Sequence, residues 1–351
     1  MKVSLEQLVN TNYIKYSRMI DIVNAAYVGS DATNINIYID MYSMIKVLYS
    51  NKQYEIQDYS ALTACMINMC AHYRDFFRTR YQTESKIFII YSKNCSYVNN
   101  QFYPDYNRKN AMMFATNKKI DDMILNNVEL LKTLCPYLPD IHFVTGTFET
   151  GVLIYDLICR NEVENPNTPH MIITKDIYNY QLVPMRNNIT IVRPKKVNGV
   201  DVSYFINNNN LIDIYLFERK TSAKPITTLH PGLLSLIMTL SSVSERNIKS
   251  LFNITTALRI ITTAVANYRI LNGYNSDIET IWNAIYDTNF DIGYTTFEHR
   301  FKAIDIMSQY SIYLNTPEPK NIQLINLYDP EAVKAINNKY FKMTPLDLNR
   351  L

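Results

Sequence analysis

KIFIIYS, residues 86–92, is a run whose apolar side chains follow one another without a polar residue at alternate positions. A strand with one face in water alternates; a strand buried on both faces does not. The run therefore reads as a central strand of a sheet covered by helices on both sides. On either side lie NINIYID (34–40), a short β-rich run ending on an acid, IHFVT (141–145), and MIITKD (171–176), again ending on an acid. The segments between them have helical character: 57–80, IDDMILNNVELLKTL (120–134) and ETGVLIYDLICR (149–160). Residues 5–27, with Leu8, Val9, Ile14, Met19, Ile20 and Val23 at helical spacing, read as an amphipathic helix. Strands alternating with helices specify an α/β fold with a mostly parallel sheet.

Beyond this alternation, NITIVRP (188–194) and VSYFINNNNLIDIYLFERK (202–220) read as two or three shorter strands. Asn207–Asn210 form a turn, and KKVNGVDV (195–202) a flexible loop. Residues 231–351 read as helices broken near 272–276, 289–293 and 315–321. The expected organisation is an α/β domain over 1–230 and a helical region over 231–351. The aromatic-rich helices DIETIWNAIY (277–286) and TFEHRFKAIDIMSQYSIYL (296–314) either cover the sheet or form a docking surface.

The 351 residues carry 35 basic and 32 acidic side chains, a formal charge of +3. That excludes a broad basic field, so any nucleic-acid contact must rest on local patches. Cys65, Cys70, Cys95, Cys135 and Cys159 are odd in number and lack disulfide-framework or zinc-finger spacing; Cys65, Cys70 and His72 do not match a standard zinc motif. His142, His170, His230 and His299 are scattered and suggest no triad. No apolar run has membrane-spanning length, and MKVSLEQLVNTNYIKYSRM lacks a signal-peptide core. The expected location is the cytoplasm, or a virion if the protein is viral. Seven Gly against 28 Tyr, with abundant Asn, Ile and Lys, points to an A+T-rich genome, a viral one among them.

Open α/β sheets place ligands at the carboxyl ends of their strands, where Asp40 and Asp176 both fall. Four further segments sharpen that signal. IYSKNCSYVNNQFYPDYNRKNA (90–111) resembles the 5′-nuclease segment in which a strand and an aspartate lead into a Tyr-Pro-Glu-Tyr-Lys-like stretch. GTFETGVLIYDLI (146–158) resembles a Gly-x-Glu-Ala-Asp-Asp-Val-Ile helix start. IITKDIYNYQLV (172–183) resembles a strand followed by Gly-Asp-Lys-Asp-Leu-x-Gln-Leu. LIMTLSSVSERNIKSLFNITTALRII (236–261) is similar to Gly-Asp-x-x-Asp-Asn-x-x-Gly with the helix–turn–helix after it. Together they resemble the flap-endonuclease (5′-nuclease, PIN-like) family, in order and spacing, over residues 34 to about 265.

The resemblance implies a PIN-like sheet sandwiched by helices and a degenerate helix–turn–helix over 236–265. It also implies phosphodiester hydrolysis near the 5′ ends of branched DNA. Two divalent ions about 3.5–4 Å apart need many hard carboxylate ligands. Asp40, Glu149 and Asp176 match family acids. The other acid positions fall at Ser92, Gly151, Val152, Tyr178, Val243 and Arg246, and Lys175 adds a positive charge. Three acids imply at most one Mg²⁺; Asp156, Asp213 and Glu245 lie near the motifs without matching a position. Acids at strand ends also cap helices and solvate backbone. For DNA, the resemblance points to Tyr103, Tyr106, Arg108 and Lys109 as an arch remnant, where aromatics stack bases and cations meet phosphates. It points also to Asn253 and Thr255 in LFNITTA (251–257), where the family's Gly-rich turn holds K⁺ and a phosphate. Asn253 lies near a glycine position, and Asn tolerates left-handed backbone better than most residues. A Tyr-rich surface loop and a plain helix corner account for the same residues.

The implied partners are branched or single-stranded DNA and, for a viral protein, virion or replication proteins, with no membrane. Three readings follow: a catalytically degenerate 5′-nuclease relative with a structural or DNA-associated role, an active divergent metal-dependent 5′-nuclease, and a non-catalytic DNA-binding replication module. Metal content with nuclease activity separates the second, and salt-dependent DNA binding the third.

Overall fold

The computed structural model describes residues 15–16, 34–50, 59–92, 102, 118–138, 140–166, 168–197, 200–219, 229–241, 248–268, 278–288, 290–315 and 323–325. Its strands are β1 (Lys15–Tyr16), β2 (Asn34–Asp40), β3 (Glu84–Ser92), β4 (Ile141–Gly146), β5 (His170–Ile173), β6 (Ile189–Val197), β7 (Val200–Ile206) and β8 (Gln323–Ile325). They form one sheet in the order β1-β7-β6-β5-β2-β3-β4-β8. Strands β6, β5, β2, β3 and β4 run parallel; β7, β1 and β8 join antiparallel at the margins.

The helices are α1 (Met41–Ser50), α2 (Tyr59–Tyr81), α3 (Lys118–Leu134), α4 (Thr150–Glu164), α5 (Leu211–Glu218), α6 (Leu234–Leu240), α7 (Ile254–Tyr268), α8 (Ile278–Tyr286), α9 (Tyr294–Ile304) and α10 (Ile306–Asn315). The pleat divides each central strand between two cores. Ile35, Ile37, Ile39, Ile87, Ile89, Phe143, Met171 and Ile173 pack with Met44, Leu62, Met66 and Leu131 of α1, α2 and α3. Tyr38, Phe88, Ile90, Val144 and Ile172 pack on the other face in a cluster that continues through α4 into α6–α10. The unbroken apolar run of β3 is thereby explained, and the fold is α/β with a mostly parallel sheet between helical layers.

The direction of strand addition reverses at β2. The chain goes from β2 outward to β3 and β4, then returns to add β5 and β6 on the other side of β2. The carboxyl ends of β2 and β5 therefore flank a topological switch point, where open α/β sheets leave a crevice.

Several elements differ from the sequence reading. Lys15 and Tyr16, expected in a helix, pair with Ser203 and Tyr204 as a short strand; the rest of 5–27 lies outside the described residues. KKVNGVDV is no open loop: β6 runs to Val197 and pairs with β7 from Val200. The Asn-Gly dipeptide between them is the pair of residue types that favours two-residue hairpins. LIDIYLFE is helix α5, because Leu211, Ile212, Ile214, Tyr215 and Leu216 are all buried and leave almost no polar face to betray a helical period. The run 296–314 breaks at Asp305, whose carboxylate accepts the Ser308 amide (2.9 Å) and starts α10.

One feature of this architecture titrates. His142, Phe88, Tyr38 and His170 form a ring row across β4, β3, β2 and β5, with centroid separations of 5.0, 5.2 and 5.8 Å. His170 Nδ1 meets Tyr38 Oη at 3.1 Å, and Asn161 Nδ2 donates to the same phenol at 3.3 Å. Burial depresses the His170 pKa to about 4, against the opposing pull of Glu162, 3.8 Å from Nε2, and with the Arg186 charge adding to the depression. The native state then binds fewer protons than the unfolded chain between pH 6.5 and about 4. Stability is full above pH 6.5 and falls by roughly 3 kcal/mol from this group as pH drops through that window. Urea midpoints measured at pH 7 and pH 4.5 should differ more for the native protein than for His170→Gln. An equal drop in both would contradict the assignment.

Candidate functional site

Asp40 closes β2 and is 4% exposed. Its carboxylate accepts from Ser43 N (3.2 Å) and Ser43 Oγ (2.5 Å) in the first turn of α1, and from Thr174 Oγ1 (2.8 Å) just past β5. Burial pushes its pKa up; the Ser43 hydrogen bond opposes this, and the nearby Asp176 charge adds to the rise. Asp176 donates its amide to the same Thr174 Oγ1 (3.0 Å), and its Oδ1 accepts from Tyr178 N (3.0 Å), so it caps the 3₁₀ turn Ile177–Met185. Asp40 and Asp176 thus flank the switch point with one hydroxyl between them.

Glu149 lies on the same sheet edge, after β4 and at the N-cap position of α4, and is 2% exposed. Strand β3 separates it from β2, so the strand axes that carry Glu149 and Asp40 are about 10 Å apart. Among the described residues no three Asp, Glu, His or Cys side chains are grouped to hold a metal ion.

Among the described residues, the replaced positions are filled by neutral groups. Ser92 Oγ donates to the carbonyls of Phe148 and Gly146. Tyr178 and Val152 are buried in the core. At Gly151 a Cβ would lie 2.6 Å from Asn179 Oδ1 and 3.0 Å from Ile306 Cδ1. Asn179 is itself fixed, with Nδ2 donating to Thr174 Oγ1 (3.0 Å). An aspartate cannot enter at 151 while Asn179 stays. Three donors already occupy the Asp40 carboxylate, which offers about four lone-pair sites. This donor set does not fit a two-ion centre.

Of the acids near the motifs, Asp156 is committed elsewhere, and so is Glu218. Asp156 pairs with Arg160 (2.8 Å) and meets the Tyr310 and Tyr313 hydroxyls. Glu218 takes Arg193 (2.7 Å) and the Tyr180 hydroxyl (2.8 Å), and Arg193 also donates to the Lys175 carbonyl at the sheet edge. Burial pushes the Cys70 thiol up to about 12, away from thiolate metal ligation.

Asn253 does not adopt left-handed backbone; among the described non-glycine residues only Gln82 and Asp140 have positive φ. It serves α7 as an N-cap, with Oδ1 accepting from Thr256 N (2.8 Å), and Thr255 is exposed in the first turn. Tyr103, Tyr106, Arg108, Lys109, Val243, Glu245 and Arg246 lie outside the described residues. Ser43, Thr174 and Asn179 were missed from sequence because neutral polar residues carry no motif signal. A usable clue was Gly151, one of only seven glycines, at a helix start where nothing in the sequence called for one.

No family model and no curated protein matches the chain. Among solved structures, the flap endonuclease of bacteriophage T5, in a pseudo-enzyme–product complex with DNA and metal ions, is similar with TM-score 0.54 and 10% identity; the match covers 88% of this chain and 98% of that one. The same phage protein co-crystallised with metal ions gives TM-score 0.52 and 9% identity over the same shares. The chain has the 5′-nuclease, PIN-like fold.

Helix propensity alone favours Gly151→Ala, but overpacking against Asn179 should outweigh it and destabilise by about 1–3 kcal/mol. In an Asn179→Ala background the same change should be neutral or stabilising. Urea unfolding of the four proteins forms the cycle; additive effects would show that Asn179 does not close this position.

Proposed function

We propose that this is a nuclease-fold protein whose carboxyl edge has exchanged two-metal chemistry for a neutral hydrogen-bonded core, and that its role is structural or DNA-associated rather than hydrolytic. The observation that carries this is the closure of Gly151 by Asn179, with Asp40 held by Ser43 and Thr174. Metal-assisted hydrolysis needs anionic ligands free to bridge ions and orient water. In this edge the Asp40 carboxylate is engaged by backbone and hydroxyl donors and that of Asp176 by a backbone amide.

DNA association has separate support. The phage flap endonuclease of like fold was solved with DNA. The corner between α6 and α7 exposes Lys249, Ser250, Asn253, Thr255 and Arg259, a local polar and basic patch of the kind a chain of +3 net charge would need. Host cytoplasm or a virus particle, with virion or replication proteins as partners, is the setting that the A+T-biased composition favours.

The nearness of Asp40 and Asp176 favours one second reading, a divergent nuclease holding a single Mg²⁺ at the switch point. Purified protein with Mg²⁺ or Mn²⁺ should cleave 5′-flap and nicked duplex DNA no faster than the Asp40→Ala/Asp176→Ala double variant. Loss of one metal's contribution removes several kcal/mol, and about 1.4 kcal/mol is tenfold in rate. Metal-dependent cleavage abolished by the two substitutions would overturn the proposal and restore the enzyme. Binding to branched DNA that weakens as salt rises supports the DNA-associated role, and no binding at low salt would leave the structural one.

A further inference from the structure

Arg300 sits on α9 with 3% of its surface exposed. Its guanidinium donates to three backbone carbonyls: Thr239 at the end of α6, Ser241 just past it (2.7 Å), and Lys249 on the approach to α7. A buried cation is costly unless its donors are satisfied, and here backbone oxygens take three of its five N–H groups. For the oxygens at the end of α6 it is a fitting donor, because the last carbonyls of a helix have no partner within the helix and carry its negative dipole end. Among the described residues, Leu240 O also joins the two sides of the corner, accepting from Leu251 N (3.2 Å) and Phe252 N (3.0 Å). The described backbone on both sides of the corner thus converges on the guanidinium that α9 supplies.

We infer that Arg300 is the positioning residue of the α6–α7 corner: a cation built into the chain that gathers the carbonyls of Thr239, Ser241 and Lys249 and so fixes the exposed face of Lys249, Asn253, Thr255 and Arg259. Convergent carbonyls without such a side chain would call for a bound cation, whose occupancy would vary with the salt. A tethered guanidinium makes the corner indifferent to which monovalent cation is present. Its planar fork also serves three acceptors at once, which a lysine ammonium at the same position cannot reproduce in geometry. The consequence for DNA rests on the DNA-associated role proposed above; the consequence for the corner's order does not.

The test uses the full chain and two variants, Arg300→Lys and Arg300→Met, the first retaining the charge if the second fails to fold. Amide hydrogen exchange over 248–268 is followed by mass spectrometry in potassium, sodium and choline chloride at equal ionic strength. The native protein should exchange alike in all three. Either variant should exchange faster over 248–258 by about tenfold or more while amides of β2, β3 and β5 stay protected, as expected for local opening. Unchanged exchange in the variants, or exchange in the native protein that depends on the cation, would overturn the inference. Branched-DNA binding is read in parallel. A folded variant should lose affinity with the slope of log K against log salt unchanged, since a buried group neutralises no phosphate. A slope smaller by about 1 would make Arg300 a direct phosphate contact and overturn the positioning role. If the native protein binds no DNA but the exchange results hold, the DNA reading fails and the clamp stands.

Discussion

The hydroxyl of Thr174 has one hydrogen to give and two lone pairs to offer, and the carboxyl edge uses all three. It donates to Asp40 Oδ2 and accepts from the Asp176 amide and from Asn179 Nδ2. With its capacity spent, the hydroxyl fixes the relative positions of the end of β2, the exit of β5 and the 3₁₀ turn that follows. The rest of the edge is arranged around this group. Asn179, held by its amide, turns Oδ1 toward Gly151, and the start of α4 can approach because residue 151 has no Cβ. Two residues on, Gln181 donates to the Tyr178 and Ile304 carbonyls and accepts from Ser235 Oγ and Ile306 N, which joins the edge to α6, α9 and α10.

Such a network is worth little if half made, because each buried polar group left unsatisfied costs about 1–3 kcal/mol. A fold with many carboxylates at this edge needs divalent cations to hold them together against their mutual repulsion. On the proposed reading, neutral hydroxyl and amide groups at the same edge supply that cohesion in place of ions. The helical region is built by the same means: Arg300 holds the α6 corner through backbone carbonyls, and Asp305 starts α10.

The parallel strands were legible because burial on both faces writes itself as an unbroken apolar run, as in KIFIIYS, and because Asp40 marks the end of β2 and Asp176 follows β5. Helix α5 was not, since LIDIYLFE is buried nearly all round and its β-branched residues mimic a strand. Helix α1 follows β2 with no intervening loop residue, so no turn chemistry announces it, and β8 is three residues long. At the candidate site the acids were visible, since charge at a strand end is conspicuous. What they do there was not, because the side chains that engage Asp40 are a Ser and a Thr, with an Asn behind the Thr, none with a motif of its own.

Anomalous diffraction from crystals equilibrated with Mn²⁺ at millimolar concentration tests the central claim directly, because it counts ions at the carboxyl edge without assuming a substrate. The account predicts no pair of Mn²⁺ peaks about 3.5–4 Å apart among Asp40, Glu149 and Asp176, with Asn179 still against Gly151. Two such peaks, with Asn179 swung away and the Asp40 oxygens turned from Ser43 and Thr174 to the metals, would contradict it.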